Sequence, residues 1–259
     1  MKLPTDADIL DSPAQRQADK RRWLRAFNLS LGFVLLLTAV FLSQPYFDVE
    51  RWTVTPGAAA GLLGVLGAPL LHGSFEHLAA NAISLLMLGT LAGGMYPRAT
   101  VRALPLIWLG SGLAAWLLGD TGSHHLGASG LTHGLMFMVF LLGLLRRDRP
   151  AVAASMAAFL FYGGMLLTVL PREPGVSWQA HLGGAIGGVV AAWLFSRLDP
   201  QPPRKRYSWE DEDEIDARAE ATRAELEPGA PEDVPVIWHR PEPADDEERG
   251  VVLRFPPRK

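Results

Sequence analysis

The sequence predicts an all-α membrane protein: six transmembrane helices in a bundle, a long outer loop between helices 1 and 2, and a disordered acidic C-terminal tail. Three observations carry that expectation. Charge is segregated, since residues 1–199 hold 14 Lys/Arg against 11 Asp/Glu while residues 200–259 hold 10 against 16. The mean hydropathy is positive, +0.14, although 20% of the residues are charged, so the apolar residues must be concentrated in stretches of their own. Those stretches are visible. Residues 26–47, 52–75, 77–97, 103–119, 121–145, 150–171 and 174–196 contain no Asp, Glu, Lys or Arg, and a helix needs about 20 apolar residues to cross a bilayer core.

Residues 1–23 are mostly polar and read as a cytoplasmic N-terminal segment leading into Lys20-Arg21-Arg22-Trp23-Leu24-Arg25. The apolar run that follows is too long for a signal-peptide core and has no small-residue cleavage site, so it reads as a retained first span over about 25–43. The next run, 52–75, is interrupted by Pro56, Gly57, Gly61, Gly64, Gly67 and Pro69, which disfavour a continuous helix.

Charge asymmetry decides whether 52–75 crosses. With six spans and the N-terminus inside, the inner loops receive Arg98 and Arg102, then Arg146-Arg147-Asp148-Arg149, then Arg197 with Arg204-Lys205-Arg206. The outer loops receive only Arg51 and Arg172, each beside acids. That is the excess of inner positive charge expected of membrane proteins, and a seventh span would reverse it. Run 52–75 is therefore an outer connection whose non-helical backbone must be covered by protein or water. The remaining spans are 71–95, 100–119, 127–145, 151–170 and 178–196, giving a membrane domain over 24–198. Helices two, four and six then all enter from the outside. The tail, 199–259, carries Glu210-Asp211-Glu212-Asp213-Glu214, many prolines and few large apolar residues. It cannot bury enough apolar surface to fold alone and is expected to be disordered and cytoplasmic, with room for a short helix in 213–227.

The chain has no cysteine, which excludes disulfides, thiolate catalysis and Cys-bound metals. A serine at the mouth of a membrane-length helix stands out instead. Ser129, within Gly127-Ala128-Ser129-Gly130, is flanked by small residues that let other groups approach its hydroxyl, and it is the candidate nucleophile. His72, His77 and Asn81 open the second span and His181 the sixth, so the predicted topology puts all of them at similar depth near the outer face. A serine hydroxyl needs a base to take its proton, and His181 can do so if helices four and six touch. Gly130 and Gly134, like Gly184 and Gly188, repeat at i, i+4, the small-residue spacing that allows membrane helices to meet backbone to backbone. Ser129 lies near a helix N-terminus, where backbone N–H groups are unpaired and negative charge is favoured. His77 and Asn81, four apart, project from one helix face.

Taken together, His-x4-His-x3-Asn at 72/77/81, Gly-Ala-Ser-Gly at 127–130 and Ala-His-x2-Gly at 180–184, in this order and on these helices, resemble the rhomboid intramembrane serine proteases over residues 20–198. The resemblance implies a rhomboid-like bundle with a Ser129–His181 dyad, Ser129 as nucleophile and His181 as general base and acid, with no third acid. It implies an oxyanion hole made by His77, Asn81 and the Ser129 backbone N–H. It gives His72 the role of ordering the neighbouring loop, and Gly127, Gly130 and Gly184 supporting roles. The implied reaction is hydrolysis of a peptide bond in or beside a transmembrane segment of a membrane-protein substrate, with no cofactor and no metal. Partners are the substrate and the lipid bilayer, not nucleic acid, and the expected location is a bacterial inner (cell) membrane.

Two departures accompany the match. His133 stands four residues after the serine, where the family often has an aromatic ring packed on the catalytic histidine, and Arg51-Trp52 reverses a Trp-Arg pair of the outer loop. His124 and His125 are expected to be solvated. The zinc pattern His-Glu-x-x-His and the hydrolase elbow Gly-x-Ser-x-Gly are both absent. A lone membrane serine usually bonds its own helix, and buried polar residues also serve as interhelical glue. The alternative reading is thus a non-catalytic rhomboid-like protein that binds transmembrane helices.

Overall fold

The computed structural model describes residues 13–171, 175–199 and 208–226. They divide into two units, one within Met1–Lys205 and one within Arg206–Lys259. The first unit is helical. Its main elements are α1 (Pro13–Ser43), α2 (Phe75–Met95), α3 (Pro97–Leu118), α4 (Ser129–Arg146), α5 (Arg149–Tyr162) and α6 (Trp178–Phe195). In the second unit the described residues form α7 (Ser208–Leu226), which takes in most of the 213–227 stretch where a helix was anticipated. The rest of the expected disordered tail, 200–207 and 227–259, lies outside the described residues.

Among the described residues, four segments are long and apolar enough to cross a membrane: Pro13–Tyr46, Phe75–Met95, Pro97–Leu118 and Ser129–Arg146. Large apolar side chains such as Leu35, Leu42, Leu117, Leu160 and Trp193 point outward, as a surface facing lipid requires and a surface facing water penalises. α6 matches the expected 178–196 closely. The expected 151–170 is divided, because helix α5 stops at Tyr162 before Gly163-Gly164 and resumes only as the single turn Met165–Thr168. Paired glycines weaken helix propagation at that point.

Local chemistry sets the other boundaries. α2 begins at Phe75 rather than Leu71 because Ser74 caps it, its hydroxyl accepting from the His77 N–H at 3.1 Å. Pro97 opens α3 in the first turn, where a missing N–H costs nothing. Asp148 caps α5, accepting from Ala151 N at 2.8 Å. α1 starts as far back as Pro13, since the Gln-, Ala- and Arg-rich residues 14–25 have good helix propensity even though they are polar.

α4 is the central helix: 61% of its apolar window is buried, against 11% for α1. Leu131, Leu135, Met136, Met138, Val139 and Leu142 pack there against Leu78, Leu85 and Leu88 of α2 and Ile107 of α3. α6 lies against α3 and α4 along glycine. A methyl group at Gly184 would collide with the Gly130 carbonyl, one at Gly188 with that of Gly134, and one at Gly183 with that of Gly110. The paired glycine spacing is therefore a contact seam between α4 and α6, extended on to α3. At the other end of these helices Asp199 is buried and receives the N–H groups of Arg98 and Ala99 at 3.0 and 2.9 Å, closing the open start of α3. Arg146, from the end of α4, bonds the Asp199 carbonyl and lies over the Tyr96 ring, 5.2 Å from its centre.

The long connection between α1 and α2 is a series of short turns and the six-residue helix Leu62–Gly67. Its backbone is covered by protein. Trp108 Nε1 donates to the Val65 carbonyl at 3.1 Å and Trp116 Nε1 to that of Ala58 at 2.9 Å. Val54 pairs with His125 through two backbone hydrogen bonds of 2.9 Å, so this connection and the one before α4 are joined just ahead of Ser129.

Candidate active site

Ser129 is the first residue of α4, and His181 stands four residues after Ser177, the N-cap of α6. With α4 and α6 in backbone contact, Ser129 Oγ lies 2.8 Å from His181 Nε2. The other ring nitrogen, Nδ1, is 2.9 Å from the Thr168 carbonyl. A carbonyl only accepts, so Nδ1 carries the hydrogen; in the neutral ring Nε2 then carries the lone pair, and the serine hydroxyl donates to it. That is the arrangement in which an imidazole can take a proton from a hydroxyl.

His133 is stacked on His181, ring centres 3.9 Å apart and planes 13° from parallel. Its Nδ1 donates to the Ser129 carbonyl at 2.7 Å and its Nε2 is 2.8 Å from Thr168 Oγ1. The imidazole thus fills the stacking position and adds two polar anchors that a hydrocarbon ring would lack. The Ser129 carbonyl also accepts from Thr132 Oγ1 at 2.7 Å, fixing the first turn of α4.

Gly127 has φ +117, and a Cβ there would stand 2.5 Å from the His77 ring. A glycine is required twice over, for the dihedral and for the space. His77 consequently packs two residues before Ser129, and its ring meets that of His72 edge-on at 5.1 Å. Asn81 is buried on the same helix and gives one amide hydrogen to the His77 carbonyl at 3.0 Å, leaving the other uncommitted to that bond. Gly130 sits beneath Ser111 and the Ala180 carbonyl, and Gly184 beneath Gly130. Every site residue singled out in the sequence is therefore in one region of the first unit.

His72 precedes α2 and is fully buried. Its backbone is clamped by the Gln44 side chain, N–H to Oε1 and carbonyl to Nε2, both at 2.9 Å. Burial first, then the neighbouring His77, hold its pKa down at about 4, with the Leu70 backbone pulling the other way.

The expectation for His125 is corrected. Instead of being solvated it is half-buried, with Nδ1 2.6 Å from Ser177 Oγ and Nε2 2.9 Å from Ser123 Oγ. The strand-like pairing with Val54 brings it inward, and burial lowers its pKa, opposed by Asp120. His124 is exposed, as expected, although Thr53 Oγ1 reaches its Nδ1 at 2.9 Å. Sequence reasoning missed Gln44, Thr168 and Ser177. Only Ser177 had a local signal, a serine immediately before an apolar helix.

A family model, the Rhomboid domain, matches residues 59–198. The chain belongs to the rhomboid family. Among relatives of this rhomboid, an uncharacterized protein of Mycobacterium tuberculosis is 40% identical over 200 residues, 71% of this chain and 81% of its own. An uncharacterized protein of Mycobacterium leprae is 42% identical over 143 residues, 52% and 57% of the two chains. The rhomboid-like protein 11, chloroplastic, of Arabidopsis thaliana is 29% identical over 201 residues, 70% of each.

Proposed function

We propose that this rhomboid is an intramembrane serine endopeptidase that hydrolyses peptide bonds in or beside transmembrane segments of membrane-protein substrates. The observation that carries the reading is the 2.8 Å approach of Ser129 Oγ to the lone-pair nitrogen of His181, whose other nitrogen is anchored. Ser129 Oγ attacks the substrate carbonyl carbon while its proton passes to His181 Nε2. The resulting oxyanion is met by the Ser129 N–H at the positive end of α4, by the His77 ring and by the free amide hydrogen of Asn81. The imidazolium then protonates the leaving amine. Water attacks the acyl ester with His181 again as base, releasing the acid and restoring the hydroxyl.

The accompanying topology is six spans, formed by α1, α2, α3, α4, α5 with the turn after it, and α6, with both termini cytoplasmic and the dyad near the outer face. The domain division is 1–23, 24–198 and 199–259. This arrangement is supported by the positive charge of Arg146, Arg147 and Arg149, which it assigns to the inner side. The half-buried ring of His77 supports a water-accessible side for the dyad, and the bilayer is the protein's solvent elsewhere.

The test is direct. The full chain in lipid nanodiscs is expected to react with a fluorophosphonate probe at Ser129 and to cleave a transmembrane reporter, with both signals lost in Ser129→Ala and His181→Ala. Cleavage by Ser129→Ala at the wild-type rate overturns the proposal. Absence of both labelling and cleavage in the wild type, with transmembrane helices still bound, favours the non-catalytic reading.

A further inference from the structure

Among the described residues, Thr168 is bonded to both imidazoles of the site. Its carbonyl accepts from His181 Nδ1 at 2.9 Å, and its hydroxyl oxygen lies 2.8 Å from His133 Nε2 and 3.1 Å from the Met165 carbonyl. It closes the single turn Met165–Thr168 that follows Gly163-Gly164, so a connecting segment, not a long helix, supplies the group behind the base.

Counting hydrogens narrows the possibilities to two. His133 Nδ1 faces the Ser129 carbonyl at 2.7 Å and must carry a hydrogen. If His133 is neutral, its Nε2 holds a lone pair, and the single hydrogen of the Thr168 hydroxyl points to it. If that hydrogen goes to Met165 instead, His133 Nε2 must be an N–H donor and the ring is a cation. The second arrangement places a cation face to face, 3.9 Å away, with His181, the ring that becomes positive when it accepts a proton from Ser129. Two like charges at that separation, shielded from water, oppose each other strongly. The first arrangement puts a neutral π face there.

We propose that Thr168 is a positioning residue for the dyad: its carbonyl holds His181 in the Nδ1–H form, and its hydroxyl donates to His133 Nε2, so that the reacting imidazole is charged against a neutral ring. The inference rests on the endopeptidase reading for its kinetic consequence, but not for its hydrogen-bond content. Thr168→Val keeps the shape and the carbonyl and removes only the donor, whereas Thr168→Ser keeps the donor.

The experiment uses the full chain, labelled with 15N-histidine and reconstituted in phosphatidylglycerol–phosphatidylcholine nanodiscs. Side-chain 15N shifts are assigned with His133→Phe and His181→Phe, alongside fluorophosphonate labelling of Ser129. The expected spectrum shows one protonated nitrogen, Nδ1, on each of His133 and His181. Thr168→Val is expected to move the His133 Nε2 resonance toward that of an unbonded lone pair and to slow the reaction step of labelling about tenfold at unchanged probe affinity. Thr168→Ser is expected to stay within about twofold of wild type. A doubly protonated His133 in the wild type overturns the proposal without any variant. So does a Thr168→Val protein with unchanged His133 shifts, or one labelled as fast as wild type. A wild type that never reacts with the probe removes the endopeptidase reading, while the spectrum still decides the role of Thr168.

Discussion

His181 has a backbone carbonyl behind it, not a carboxylate. A carbonyl carries no net charge, so it orients the ring and selects its tautomer while adding little Coulombic support to an imidazolium. The glycine at 127 is constrained both by its dihedral and by its space. Gly127→Ala introduces a side chain at φ +117 and drives its Cβ into the His77 ring. The strain alone is about 1–3 kcal/mol, and fluorophosphonate labelling is expected to fall by at least tenfold, more than the loss of stability measured by melting accounts for. His72 gives a prediction in pH. Its pKa is about 4 in the folded protein against 6.5 for a free imidazole, so the unfolded chain binds more protons between those values and stability rises with pH there. The stabilising contribution is complete above 6.5 and disappears as pH falls toward 4. A thermal melt in detergent is expected to weaken over that interval, with a shallower decline in His72→Gln; identical slopes would refute the assignment.

At the scale of elements, two couplings hold the site. The first is the seam of α4 on α6. Gly188→Ala is expected to separate the helices at the Gly134 carbonyl and to reduce labelling of Ser129 severely, whereas Gly32→Ala, where nothing lies within 4 Å, leaves labelling unchanged and does not lower the melting temperature. The second is His125, which joins Val54, Ser123 and the cap of α6. His125→Ala removes two side-chain bonds worth about 1 kcal/mol each and is expected to lower the melting temperature and slow labelling several-fold, with partial recovery in His125→Asn. Glycine spacing and the broken 52–75 run were legible in the sequence because each has a local physical signature, a 3.6-residue periodicity and residues that break a helix; the caps Ser74 and Ser177 carry such a signature too but were not read from it. Gln44, Thr168 and the burial of His125 were not legible. They depend on a main-chain carbonyl or on which loops meet, and neither leaves a mark on neighbouring residues. The early end of α5 falls at Gly163-Gly164, a glycine pair that the hydropathy of the whole 150–171 run conceals.

For the whole molecule, the proposed orientation rests on the distribution of arginine. The absence of cysteine makes a clean test available, since every introduced thiol is the only one present. With a membrane-impermeant maleimide applied to intact cells, Gly122→Cys, in the connection before α4, is expected to react, and Arg147→Cys, just after α4, to react only after the membrane is opened. The reverse pattern would place the dyad at the inner face and end the proposed topology. The candidate site residues stood out because the topology expected from hydropathy and charge puts them at similar depths on alternate helices, a relation that can be argued without coordinates.

The seam between Gly130/Gly134 and Gly184/Gly188 has one last implication. Where the two helices meet glycine to glycine there is no side-chain cushion at those points to absorb a displacement, so the gap between Ser129 and His181 is set by the close packing of main chain on main chain. Changes of lipid, detergent or bilayer thickness therefore alter what arrives at the serine long before they alter how the serine meets its histidine.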